Sequence, residues 1–354
     1  MRQLVLTLAF LLSLGAGPVL AAEAAIMTGK PTGTYIRFGQ DIARVAEHFG
    51  LKLAVQPSAG SLENVEAVLK RPSTPFAIVQ SDVLDFIATF ADDKDLKRTA
   101  AAMRMVFPLY TEEVHLLARP GIDRLADLTG KRVAVGAPDS GTLLTATLML
   151  ASAGVDAEDE VRIDTDEALT AMREGRIDAM FYVAGRPAKL FASDVTEADG
   201  FHLVPITDPE VRHLYQPATI PAGTYPWQKA EVPTVAVRAV LMTYDYARPT
   251  SYHRMACATV GKVARMIASN LDWLRGAGRG HPKWQEVDLD AHPVSWQRSA
   301  CAEAGLTGPE DFLISALPKT GPVCDDPNPI RQKLCLVRQQ LRQQMPPAAD
   351  AKLM

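Results

Sequence analysis

Short apolar runs alternate with amphipathic segments from Ala24 to about His115. Ala24–Thr28, Leu51–Gln56 and Phe76–Val79 read as strands: brief, apolar and bounded by polar or turn-forming residues. Tyr35–Phe49, Leu62–Lys70 and Asp82–Phe90 read as helices with apolar positions three and four apart. Such alternation predicts a parallel sheet covered on both faces. The pattern restarts after Pro120, with a short helix at Leu125–Leu128, a strand at Arg132–Val135 and a helix at Leu143–Ala153. A further helix, Glu167–Glu174, and strand, Ala179–Val183, follow. The segments "SLENVEAVLKRPSTPFAIVQ" and "DEALTAMREGRIDAMFYVAG" share one order of helix, polar turn and strand. Two lobes of similar α/β architecture are therefore expected.

Val114–Arg119 reads as a strand leading from the first half to the second, and a β-prone stretch near Thr224–Val240 leads back. One entry and one return make a hinge, with a ligand cleft between the lobes. The expected division is 23–116 plus about 228–305 for lobe one and 117–227 for lobe two. Ser251–Arg275 reads as one long amphipathic helix on lobe one, and 306–354 as a loop-rich C-terminal extension.

Three loops follow apolar runs, are rich in Gly, Ser, Thr or Pro, and open into helices. Helix starts carry unpaired N–H donors and the positive end of the macrodipole, so they favour anions such as carboxylates. The first loop offers Thr32, Gly33, Thr34 and Tyr35, the second Ser58, Gly60, Ser61 and Asn64. The third offers Ser140, Gly141 and Thr142. Gln80, Ser81 and Asp82 follow a strand's C-terminal end, where open α/β sheets bind ligands. Asp82 is expected to cap its own helix unless the ligand carries an ammonium group. Gly185 and Arg186 follow another strand, and Arg186 could hold a carboxylate in a bidentate fork. Tyr182 and Tyr225 are read as closing the cleft or packing in the core, and His115 as a structural histidine.

Composition narrows the class. Residues 1–22 have the grammar of a cleaved signal peptide: Arg2, an apolar Leu4–Leu14 stretch, then small residues near Ala21. Export to the periplasm is expected. Net charge is -4, without a basic run of five, which makes nucleic acid a poor partner. An even set of four cysteines, Cys257, Cys301, Cys324 and Cys335, favours disulfides in an exported chain. Three pairings are possible. The segment holding Pro327 and Pro329 can fold back to join Cys324 to Cys335, and Cys257–Cys301 would follow. No zinc spacing, P-loop, GxGxxG, HExxH or GxSxG is present, so no metal, cofactor or catalytic residue is expected.

The blocks "TGTYIRFGQDIA", "SAGSLENV", "AIVQSDV", "EEVHLLAR", "LADLTGKRVAVGAPDSGT", "GRIDAMFYVAG" and "TIPAGTYPWQ" occur in this order. Together they resemble the TAXI-type solute-binding proteins of TRAP transporters, from about Ala24 to about Arg298. The resemblance implies a two-lobed periplasmic binding protein fold, type II-like, with hinge strands between lobes. It implies a monomer that captures glutamate, glutamine or 2-oxoglutarate and delivers it to membrane permease subunits. Lys30 and Pro31 depart from the glycine-rich first loop of many relatives, and Ala59 stands where a polar residue is common. A ligand sensor docking on a receptor, and an enzyme on the same fold, are the alternative readings.

Overall fold

The computed structural model describes residues 24–31, 33–291 and 296–308. The expected signal peptide, Thr32, the expected C-terminal extension beyond Gly308, and Cys324 with Cys335 lie outside the described residues.

The first half of the chain builds β1 (Ala24–Met27), α1 (Thr34–His48), β2 (Leu53–Gln56), α2 (Ser61–Lys70) and β3 (Phe76–Gln80). Helices α3 (Val83–Phe90) and α4 (Lys94–Ala101) then lead to β4 (Met103–Ala118). Next come β5 (Arg132–Ala134), α5 (Gly141–Ser152), β6 (Asp159–Val161), α6 (Thr165–Arg173) and β7 (Ala179–Ala184). They are followed by α7 (Lys189–Ser193), β8 (His202–Leu203), α8 (Pro209–Leu214), β9 (Gln216–Ile220) and β10 (Val232–Tyr244). The chain closes with α9 (Ser251–Ser269), α10 (Leu271–Arg275) and α11 (Ala300–Thr307). Short 3-10 turns occupy Leu125–Leu128, Glu197–Asp199 and Pro282–Glu286.

The strands form one sheet in the order β2-β1-β3-β10-β4-β7-β5-β6, with β9 added to β10 and β8 to β4. The outer strands of each half are parallel: β1 with β2 and β3, and β5 with β6 and β7. The centre is antiparallel, because β10 runs against β3, β4 and β9, and β4 against β7. The parallel pairing expected from strand–helix alternation holds within each half, and the two connecting strands add the antiparallel centre. A strand that leads out of one half and a strand that leads back must cross the junction in opposite senses.

Strand β4 changes partner midway. It pairs with β10 up to Glu113 and with β7 from Glu113 onward, so Glu113 faces both Ala236 and Ala184. Each half buries its own apolar clusters. In one half, Phe38, Phe76, Phe107, Tyr110 and Trp284 pack together on one side of the sheet. Met27, Val65, Ile87, Met105 and Met242 pack on the other side, joined by Leu144 from α5. The second half is filled by Val133, Phe181 and Val237, and by Leu117, Met172, Phe191 and Trp227. This is the two-lobed α/β architecture.

Most strand and helix expectations hold within two residues. Others do not: β4 begins at Met103 rather than Val114, β10 spans Val232–Tyr244 rather than Thr224–Val240, α4, β6, α7, β8, α8 and β9 were not anticipated, and the helix expected over Ser251–Arg275 breaks at Asn270. The Asn270 side chain donates to Met266 O at 2.8 Å, and the backbone there leaves the helical region before α10 begins. Cys257 on α9 and Cys301 on α11 form a disulfide with Cα atoms 5.1 Å apart, the pairing expected for these two. No helix among the described residues is long and apolar enough to cross a membrane.

Candidate functional site

The loops singled out in the sequence meet at the junction of the two halves. They enclose a cavity of about 120 Å³. From one half come Gly33, Thr34 and Tyr35 at the start of α1, Ala59 and Gly60 before α2, and Gln80 at the end of β3. From the other come Gly136, Ala137, Ser140, Gly141 and Thr142 around the start of α5, with Tyr182, Val183 and Ala184 of β7. Glu112 of β4 and Lys30 complete the polar lining.

Contact between the halves is close. Gly60 has a φ of +144°, and a Cβ there would stand 3.0 Å from Gly141 N and from Ser140 Cα. A Cβ on Gly141 would collide with the Gln80 carboxamide. Gly60 needs glycine because backbone meets backbone at a positive φ, whereas a side chain at 141 would displace Gln80. Leu62 N, in the first turn of α2, donates to Asp139 O across the junction at 3.3 Å. Thus one expected anion-binding amide is taken by the facing loop. Lys30 forms an ion pair with Asp164, bridging the halves at the cavity mouth.

The remaining sequence candidates sit behind this lining. Ser58 donates to Thr28 O at 3.0 Å, and Asn64 donates to Thr28 O and Ile78 O at 2.6 and 2.7 Å. These bonds fasten α2 and its loop to β1 and β3. Ser61 Oγ, fully buried, accepts from Gln80 N at 3.0 Å and also reaches the Tyr35 hydroxyl. Ser81 Oγ accepts from Arg238 N at 3.1 Å. On the lining itself, Ser140 caps α5 by accepting from Leu143 N at 3.1 Å, and Thr142 Oγ1 accepts from Val183 N at 3.2 Å.

Three expectations need correction. The Asp82 side chain makes no cap bond to its own helix. Its Oδ2 accepts instead from Thr145 Oγ1 at 2.8 Å and from Tyr215 OH at 3.1 Å, both on the other half. Burial raises its pKa to about 7, against the lowering effect of those two hydroxyls. Arg186 does not line the cavity; it lies 2.8 Å from Glu113 Oε1, and its backbone N–H donates to Glu113 Oε2 at 2.9 Å. Gly185 lines an outer depression of about 620 Å³ that opens from the cavity and also holds Arg37, Arg173 and Lys189. Tyr225 is wholly buried and bonded to His115 Nε2 at 2.6 Å, so it packs in the core and closes nothing. His115 is structural: burial holds its pKa down near 4, and Nδ1 lies 2.9 Å from Glu113 O.

Sequence reasoning missed Glu112 as a lining residue. It is buried, with Oε2 accepting from Tyr35 OH at 2.8 Å and Oε1 from Tyr110 OH at 3.3 Å. Burial pushes its pKa up to about 8. The signal was present: Glu112 and Glu113 stand together in a mostly apolar strand, and carboxylates seldom enter a core without a reason. Tyr182, also on the wall, has its pKa raised to about 12 by burial.

Residues 26–270 match the NMT1-like family, and the chain belongs to it. Among solved structures, a protein of Bordetella bronchiseptica RB50 is 16% identical over 80% of this chain and 97% of that one, with a TM-score of 0.47. The periplasmic binding protein BugD is 11% identical over 80% and 93%, with a TM-score of 0.46. MatC from Rhodopseudomonas palustris, solved with bound malate, is 16% identical over 68% and 84%, with a TM-score of 0.42.

Proposed function

We propose that this member of the NMT1-like family is a periplasmic solute-binding protein that captures a small carboxylate between its halves. On this reading it hands the ligand, of the glutamate, glutamine or 2-oxoglutarate kind, to the permease subunits of a TRAP transporter, and acts as a monomer without chemistry on its cargo. One observation carries the reading. The starts of α1 and α5, from opposite halves, line a single cavity. Two helix N-termini facing one space favour a small anion, and burying it excludes water and strengthens each polar contact.

Other features agree with capture. Strands β4 and β10 run through both halves and supply the two connections about which they can swing. The Cys257–Cys301 bond suits an oxidising compartment. The ordered TAXI-type blocks support the choice of transporter.

The test is calorimetric titration of unfolded and refolded, ligand-free protein with dicarboxylates, acidic and neutral amino acids, and 2-oxo acids. Micromolar or tighter binding of at least one is expected. A sugar or a metal ion binding where all carboxylates fail would refute the reading.

A further inference from the structure

Glu112 is the only carboxyl side chain among the residues lining the cavity. Two hydrogen-bond relays end on it. Gln80 N donates to Ser61 Oγ, the Ser61 hydroxyl bonds to Tyr35, and Tyr35 OH donates to Glu112 Oε2. Thr34 bonds to Tyr110, and Tyr110 OH donates to Glu112 Oε1. Each carboxyl oxygen thus already accepts a phenolic proton, the arrangement that supports an ionised carboxylate.

What it lacks is positive charge. Tyr35 faces it from α1, Tyr110 from β4 and Tyr182 from β7; Asp82 at the start of α3 adds like charge. Lys283, in the 3-10 turn at Pro282–Glu286, is the nearby cation. Its Nζ is committed to Glu113 at 3.2 Å and Glu286 at 2.8 Å. Lys30 at the mouth is held by Asp164. A buried carboxylate with two donors and no counter-ion holds a proton until a cation arrives.

We infer that Glu112 is the specificity-determining residue that receives a ligand ammonium group, so that the cavity selects a zwitterionic amino acid over the matching 2-oxo acid or dicarboxylate. The inference rests on the carboxylate-capture reading: the ligand carboxylate is assigned to the α1 and α5 starts, the ammonium to Glu112. Below the pKa of Glu112, about 8, capture exchanges charge. The carboxylic acid gives its proton to solvent as the ammonium takes its place, so one proton leaves for each cation bound.

The experiment titrates the full chain with matched pairs: L-glutamate and 2-oxoglutarate, L-glutamine and 2-oxoglutaramate, L-alanine and pyruvate. Each titration is run at pH 6.5 in buffers of different ionisation heat, which counts protons released. The amino member of at least one pair should bind at least about tenfold more tightly than its oxo partner and release about one proton. Glu112→Gln should weaken that binding about 100-fold and abolish the release. Wild-type proton release needs no variant and stands if Glu112→Gln does not fold. Equal or tighter binding of the oxo acid, or amine binding without proton release, would overturn the role of Glu112 and leave carboxylate capture standing. Binding of no member of any pair would overturn both.

Discussion

Asp82 Oδ2 stands 2.8 Å from Thr145 Oγ1, joining the start of α3 on one half to the middle of α5 on the other. Thr145 Oγ1 is also 3.3 Å from Gln80 Oε1. The Thr145 and Tyr215 hydroxyls favour the ionised form of Asp82, and burial outweighs them. Its pKa rises from an ordinary 3.8 to about 7 because the site is dry. A carboxyl whose folded pKa is raised contributes stability fully present below about pH 4 and lost as pH climbs toward 7. The loss amounts to a few kcal/mol at order of magnitude. Glu112 acts in the same direction, up to about pH 8. Ligand-free protein should show a falling melting temperature across this window, and Asp82→Asn should flatten its lower part. Parallel curves for the two proteins would contradict the assignment.

The glycines at the junction give a second prediction. Gly141→Ala drives a methyl group into Gln80, and Gly60→Ala adds backbone strain to a clash with Gly141 and Ser140. Each should weaken ligand binding by at least about tenfold, equivalent to about 1.4 kcal/mol. Stability of the separate halves should fall less. Gly154→Ala is the control for backbone strain alone, since its φ is +64° and nothing lies near its added Cβ. Calorimetry and thermal melts on the three variants test the ordering.

Where β4 changes partner, Glu113 neutralises both Lys283 and Arg186. Lys283 is 4% exposed. Glu113→Gln leaves it short of a counter-charge, and breaking a buried pair costs about 3–5 kcal/mol. Glu286 remains as a second partner, which places the expected loss at or below about 3 kcal/mol. Glu113→Gln with Lys283→Met should recover part of it. Urea unfolding of the single and double variants measures the coupling, and simple additivity would speak against the pair.

The Cys257–Cys301 bond closes a loop of sequence separation 44. Loop-closure entropy assigns such a crosslink about 4 kcal/mol as an upper value. The double Cys→Ser variant should melt lower, with α9 and α11 loosened first, while ligand affinity changes little. Hydrogen exchange across the two helices would show whether the loss stays local.

Much of the fold was legible because it is local. The apolar alternation marked β1 to β3, β5 and β7, and the Gly/Ser/Thr loops marked the helix starts that line the cavity. Gly33, Thr34, Tyr35, Gly60, Gln80, Ser140, Gly141 and Thr142 all reach its wall. Ser58, Ser61, Asn64 and Ser81 have the same chemistry and the same loops, yet their hydroxyls and amide satisfy backbone or neighbouring side chains behind the wall. Residue type cannot separate these two fates, because both follow from one rule: a buried polar atom needs a partner.

By itself the sequence determined which segments are strands and helices, and where glycine and hydroxyl residues would start a helix, since periodicity and capping act within a few residues. Tertiary structure alone decided that Asp82 bonds across the junction to Thr145 and Tyr215, and that Arg186 turns to Glu113. It also decided that Glu112 enters the cavity beneath Tyr35 and Tyr110. Those outcomes depend on the partners that a long-range fold brings within 3 Å and on how much water it leaves, neither of which is written in local spacing.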